Sequence, residues 1–250
     1  MPDRRTDDHR GSHTGERLEQ LLARLRPIVS RRKGVAIVLV GPPGIGKTTL
    51  AAQALTALGC RCLSLPASVG LARLVREVPS PATLPAWARL GLERAAAGEV
   101  VEQTALVGAV SAALQRSAPF VLHVDDLHEA QPELVVMLEA LAGACRRTPG
   151  VGLLVASRQH HPQPFEELWL EPFEQADSIA LLESVIGGPV PPAAAEWVYA
   201  RARGNPLFTL EYQRQLARGG FLWSDGQRWN WREPQSGVRP ARVEAVIEHV

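Results

Sequence analysis

Residues 36–48 read Ala36-Ile37-Val38-Leu39-Val40-Gly41-Pro42-Pro43-Gly44-Ile45-Gly46-Lys47-Thr48. The first five are an unbroken apolar run, short and rich in β-branched residues. That is the pattern of a strand buried on both faces of a parallel sheet. The next eight fit G-x-x-x-x-G-K-[ST] at every fixed position, between that strand and a helix predicted over 48–57. Glycines let successive backbone N–H groups turn inward around phosphate oxygens. A helix that starts near Lys47 adds the positive end of its dipole. The Lys47 ammonium reaches β- and γ-phosphates, and the Thr48 hydroxyl completes a Mg²⁺ shell. The loop from Gly41 to Thr48, with Thr49 next in the helix, is therefore the expected nucleotide-binding segment. Lys47 is one of only two lysines, against 25 arginines. A compact ammonium fits beside two phosphates where a guanidinium does not. Lys33, the other lysine, precedes the strand and has no assigned role.

Outward from this loop, apolar residues at 18, 21, 22, 25 and 28 predict a helix over 17–29. Further strands are predicted at 62–65, 120–124, 151–156 and, shorter, 168–170. Residues 66–118 read as helical, interrupted by Pro79, Pro81 and Pro85, and a helix is predicted over 132–146. Strands alternating with helices imply right-handed crossovers, so the expected fold class is α/β, a parallel sheet with helices on both faces. The strand at 120–124 runs into Asp125-Asp126, 78 residues after Lys47. Asp125 is expected to hold Mg²⁺ through water and Asp126 to orient or deprotonate the attacking water. The separation is long enough to place another strand between the two motif strands, as in ATPases that hydrolyse with a second acid. Arg158, just past the strand at 151–156, is positioned to sense a γ-phosphate.

After residue 171 the pattern changes. Residues 175–186, 192–203 and 206–218 read as three helices with no buried strand between them. Asp225-Gly226 between aromatic runs then signals a hairpin. Its tryptophans are expected in cross-strand packing rather than as a base-stacking platform. A further helix is expected from near Pro240. The expected organisation is a flexible tail at 1–15, an ATPase core at 16–171, a helical lid at 172–219, and a hairpin leading into a truncated winged helix at 220–250.

Lys and Arg number 27 against 26 Asp and Glu, a formal net charge of +1. That balance excludes a polybasic nucleic-acid or membrane binder. No apolar run approaches the ~18 residues that cross a bilayer, and 1–17 lacks a signal-peptide core. A cytoplasmic protein without a membrane partner is expected. Cys60, Cys62 and Cys145 are too few for a disulfide scaffold and are expected to be buried thiols. His123 is expected to face the cover of the sheet. His128 follows the acidic pair, and His160-His161 lack a partner at ligand spacing.

Four segments occur in order: Gly-Pro-Pro-Gly-Ile-Gly-Lys-Thr-Thr-Leu (41–50), Val-Leu-His-Val-Asp-Asp-Leu-His (121–128), Leu-Leu-Val-Ala-Ser-Arg (153–158) and Arg-Gly-Asn-Pro-Leu-Phe (203–208). Together they resemble the signal-transduction ATPases with numerous domains (STAND), in particular the AAA+-like nucleotide-binding module of large LuxR-type bacterial transcriptional regulators. The resemblance spans residues 12–250. It implies that ATP and ADP are the ligands, with Mg²⁺. It also implies that Pro206 packs on the adenine, with Gly204 and Asn205 shaping the turn, and that Arg158 is the first sensor arginine. Nucleotide exchange would open or close the lid, the ATP form would self-associate, and DNA would be met only through domains outside this chain. Two departures stand out. A Gly-Arg-Glu near the family's start is scrambled here as Gly15-Glu16-Arg17, and Leu-His-Trp-Ala-Asp is here Leu127-His128-Glu129-Ala130-Gln131.

These readings predict a slowly hydrolysing ATP/ADP switch that regulates signalling or transcription. The alternative is an AAA+ motor acting on DNA. Such motors present an arginine finger from a helix after the Arg158 strand. Only about nine residues, two of them Pro162 and Pro164, separate Arg158 from the next predicted strand. There is little room for that helix.

Overall fold

A computed structural model describes residues 13–161, 163–234 and 240, with side chains from residue 15 onward. Most of the expected tail and the expected winged-helix segment lie outside the described residues. The chain divides into two compact units. One holds Leu18–Gly41 and Lys47–Leu170, and the other holds Pro42–Gly46, residues up to Arg17 and those from Glu171 onward.

The first unit is built on a five-stranded parallel sheet in the order β2-β3-β4-β1-β5. Its strands are β1 (Val35–Val40), β2 (Arg61–Pro66), β3 (Phe120–Asp125), β4 (Val151–Ser157) and β5 (Glu166–Trp169). Every residue of β1 and β4 is buried, because helices cover both faces of the sheet centre. Strand β4 pairs with β1 on one side and β3 on the other, so it separates the two motif strands, as their spacing in the sequence predicts.

Alternate residues sort to the two faces. Val38, Val40, Leu122, Val124, Leu153 and Val155 join one core with α3 (Gly70–Glu77), α4 (Ala86–Ala96), α5 (Gln103–Ser117) and α6 (Pro132–Arg147). On the other face, Ile28 of α1 (His13–Val29) lies against Gly152, and α2 (Lys47–Leu58) packs on β3 and β4. Helix α1 begins before the expected Arg17; its first turn is polar and offers no apolar period to read.

The two sheet edges depart from expectation for one reason. Edge strand β2 alternates exposed and partly buried residues, which leaves Cys62 exposed and Cys60 half-buried. Cys145, on α6 beneath the sheet, is the buried thiol. At the other edge β5 is Glu166–Trp169, shifted from 168–170, because the exposed Glu166 and the partly buried Glu167 hide the start of the strand from an apolar-run reading.

The second unit packs α7 (Gln175–Ile186), α8 (Pro192–Ala202) and α9 (Pro206–Arg218) with a hairpin of β6 (Leu222–Ser224) and β7 (Trp229–Trp231). Leu182, Trp197, Val198, Tyr212, Leu216 and Leu222 form its core. The hairpin turn is held by Asp225, whose Oδ1 accepts from the N–H groups of Gln227 (3.0 Å) and Arg228 (2.9 Å). Those bonds, with one from Asn230, hold the Asp225 carboxyl at about 2. The tryptophans are not one another's cross-strand partners: Trp231 faces Leu222 and Trp229 faces Ser224. Trp231 instead packs on Trp197 of α8, at 5.8 Å between ring centroids, and the Arg201 guanidinium lies 3.6 Å over the Trp197 ring. The larger apolar surface of the helices outweighs the partner across a three-residue strand.

Candidate functional site

In the sheet unit the site residues gather at the carboxyl ends of the parallel strands, where α/β sheets place their ligands. Gly41 follows β1 directly, and its N–H donates to the Ser157 carbonyl at 3.3 Å. Lys47, Thr48 and Thr49 begin α2, so the positive end of that helix's dipole lies in the motif itself. Lys47 is only 6% exposed, and its ammonium donates to the Gly41 carbonyl at 2.8 Å. Burial lowers the Lys47 pKa; the Asp126 charge opposes this, Arg158 adds to it and Asp125 opposes it. A lysine, an arginine and two carboxylates from three strand ends therefore share one electrostatic neighbourhood.

Asp125 ends β3, and its Oδ1 accepts the N–H of Asp126 at 3.0 Å. Asp126 itself sits in the left-handed region, φ 53° and ψ 50°. For a residue other than glycine that conformation stores about 1–3 kcal/mol, and such strain clusters at functional positions. It ends the strand path just before the turn Leu127–Glu129. His128 lies in that turn, with Nδ1 3.8 Å from Asp126 Oδ1. Burial, then Arg158, lower the His128 pKa against Asp126 and Glu129.

Arg158 is exposed just past β4. The chain after it is tied to β5 by Glu167. That carboxylate accepts from the Trp169 indole (3.1 Å) and the His161 N–H (2.5 Å), and it pairs with His160 at 2.8 Å. Among the described residues no helix lies between Ser157 and Glu166. His123 is buried in β3, bonded through Nδ1 to the Ser64 hydroxyl at 2.7 Å, as expected of a residue under the sheet's cover.

Thr48 and Asp125 are hard oxygen donors of the kind Mg²⁺ takes. Among the described residues no group of three or more His, Cys, Asp and Glu is placed to hold a metal. Mg²⁺ commonly takes one or two protein oxygens plus phosphates and water, so this donor set fits it.

The tip of the glycine loop, Pro42–Gly46, belongs to the second unit. There the Arg203-Gly204-Asn205-Pro206 segment turns from α8 into α9. Arg203 and Gly204 are both left-handed, φ 49° and 75°. A Cβ on Gly204 would meet the Phe173 carbonyl oxygen, and Phe173 N is 2.9 Å from the same point. Only glycine fits there. Asn205 caps α9, its Oδ1 accepting the Phe208 N–H at 3.3 Å, and Pro206 takes the first helical position. Such a cap contributes about 1 kcal/mol. The Asn205 amide also donates to the Pro43 carbonyl at 2.9 Å. The Leu207 N–H donates to the Gly44 carbonyl at 3.2 Å. Sequence reasoning gave Asn205 a role in the turn alone. A side chain that bonds to backbone 162 residues away leaves no local pattern.

Arg17 is a second residue without an expected role. It donates to the Glu171 carbonyl at 2.5 Å and lies 5.1 Å over the Phe173 ring. Burial lowers its pKa, against the charges of Asp177 and Glu171. It therefore occupies the scrambled Gly-Glu-Arg position with a structural contact of its own.

Residues 15–155, more than half of the chain, match the family described as AAA ATPase domain. This chain belongs to that family. No curated protein matches it. Among solved structures, the AAA ATPase chain is similar to a STAND protein with a tetratricopeptide-repeat sensor from Pyrococcus horikoshii. Identity is 14% over 93% of this chain and 32% of that one, with a TM-score of 0.55. It is also similar to the RuvB Holliday junction branch migration motor of Thermotoga maritima, 19% identical over 81% of this chain and 61% of that one, TM-score 0.52. A Walker-type ATPase of Pyrococcus abyssi shares 12% identity over 82% of this chain and 67% of that one, TM-score 0.57. These likenesses are of fold. The AAA ATPase chain spans about a third of the STAND protein and three fifths of RuvB.

Proposed function

We propose that this AAA ATPase module is an ATP/ADP switch that hydrolyses ATP slowly within a bacterial signalling or LuxR-type transcriptional regulator. The observation that carries the reading is the buried Lys47 ammonium, at a helix start, in the field of Asp125, Asp126 and Arg158. In this proposal the N–H groups from Gly44 to Thr49 cradle the phosphates, Lys47 neutralises their charge and Arg158 reads the γ-phosphate. Thr48 and Asp125 would hold Mg²⁺, which supplies charge neutralisation between the phosphates when bound. Asp126 orients the attacking water and takes its proton, and Pro206 meets the adenine.

The proposed organisation is an ATPase core over 16–171, a lid over 172–219 and a hairpin leading to a winged helix over 220–250. Self-association in the ATP form and DNA binding by other domains belong to the same proposal. A switch is preferred to a DNA-acting motor because the link between β4 and β5, as far as it is described, holds no helix to carry an arginine finger. The test is Asp126→Asn. Mg·ATP affinity should persist while single-turnover hydrolysis slows about 100-fold or more, the contribution expected of a general base. Unchanged hydrolysis removes Asp126 from catalysis.

A further inference from the structure

The first turn of α9 must satisfy N–H groups that have no partner within the helix. Pro206 has none to satisfy, and the Phe208 N–H goes to Asn205 Oδ1. The Thr209 N–H goes to the Asn205 carbonyl at 2.9 Å. The Leu207 N–H goes to the Gly44 carbonyl of the glycine loop. Asn205, itself buried, uses both ends of its amide: the oxygen caps the helix and the nitrogen holds the Pro43 carbonyl. Two consecutive loop carbonyls are thus gripped by the start of one helix.

The approach is tight. A Cβ on Gly44 would lie 2.7 Å from Leu207 Cβ and 2.8 Å from Asn205 Oδ1, and Gly44 has φ +78°. In a trans peptide the C=O and the following N–H point in opposite directions. Gripping the carbonyls of Pro43 and Gly44 therefore turns the N–H groups of Gly44 and Ile45 away from α9. The Ile45 N–H donates to the Pro42 carbonyl at 3.4 Å.

We propose that Asn205 and the Leu207 N–H form a latch that presets the glycine loop for phosphate, with Asn205 as a positioning residue that never touches the nucleotide. The latch makes Pro43, Gly44 and the start of α9 one mechanical piece. A phosphate that shifts the loop then shifts α9, and a displaced α9 releases the loop. The nucleotide part of this inference rests on the proposed ATP/ADP binding. The latch itself does not.

The test separates capping from latching. Asn205→Asp and Asn205→Ser keep an oxygen for the Phe208 N–H, but the Asp carboxylate has no donor and the Ser hydroxyl, one bond shorter than the Asn amide nitrogen, falls short of the Pro43 carbonyl. Asn205→Ala loses both. Measured on the whole chain with Mg·ADP by calorimetry, Asn205→Asp and Asn205→Ser should each bind about tenfold more weakly, the loss of one hydrogen bond, with thermal midpoints near the parent's. Asn205→Ala should in addition lower the midpoint. Parent-like ADP affinity in both cap-competent variants overturns the proposal. Amide exchange on the unsubstituted chain without nucleotide gives a second reading. Leu207 has no helical acceptor, so its N–H should exchange slowly because Gly44 holds it, and Asn205→Asp should speed Leu207 while leaving Phe208 protected. Unprotected exchange at Leu207 overturns the latch even if ADP binds. Slow exchange in a chain that binds no ADP keeps the latch and overturns the nucleotide reading instead.

Discussion

Asp126 at φ 53° is a residue whose backbone the sequence does not announce. Asparagine tolerates the left-handed region as aspartate does, so Asp126→Asn removes a charge without adding strain. That makes a loss of turnover interpretable as chemistry. The cysteines give an independent test of burial. Burial pushes the Cys145 thiol up to about 12, while Cys62 is exposed on edge strand β2. Iodoacetamide near pH 8 should label Cys62 readily in the native chain and Cys145 only in denaturant, because the thiolate is the reactive form. Native labelling of Cys145 at the rate of Cys62 contradicts its position under the sheet. The pH dependence follows from the same shift. A folded-state pKa above the ordinary 9.0 favours the folded thiol. Its contribution is complete below pH about 9 and is lost as pH rises toward 12. Urea midpoints of the parent should fall relative to Cys145→Ala over that window.

At the scale of elements, the turn between α8 and α9 depends on Gly204. Gly204→Ala adds a methyl against the Phe173 backbone at φ +75° and should cost about 2–4 kcal/mol, read as a lower urea midpoint of the helical unit. A midpoint within error of the parent contradicts the packing described. The strands β1, β3 and β4 were legible because both faces are buried and the residues read as apolar runs, interrupted in β3 by His123. Edge strands β2 and β5 were legible only roughly, since one-sided burial mixes charged residues into the pattern. Candidate site residues at strand ends and in the glycine loop could be named because motif and period coincide there. The αL turn at Asp126, the Asn205 bonds to Pro43 and the Trp231–Trp197 contact could not, because each depends on residues far apart in sequence or on a backbone angle.

At the scale of the whole molecule, the division into units runs through the glycine loop. Gly41 and Lys47 belong with the sheet, and Pro42–Gly46 with the helices. Among the described residues no helix is long and apolar enough to cross a membrane. Family membership establishes the AAA ATPase domain, and the proposed switch adds to it a nucleotide held by Lys47. The most direct test is Mg·ADP affinity of Lys47→Ala against the parent by calorimetry, with folding verified by the thermal midpoint. Removing a buried, charge-assisted phosphate contact should weaken binding roughly 10–100-fold. Affinity equal to the parent's in a folded Lys47→Ala chain would contradict the central claim.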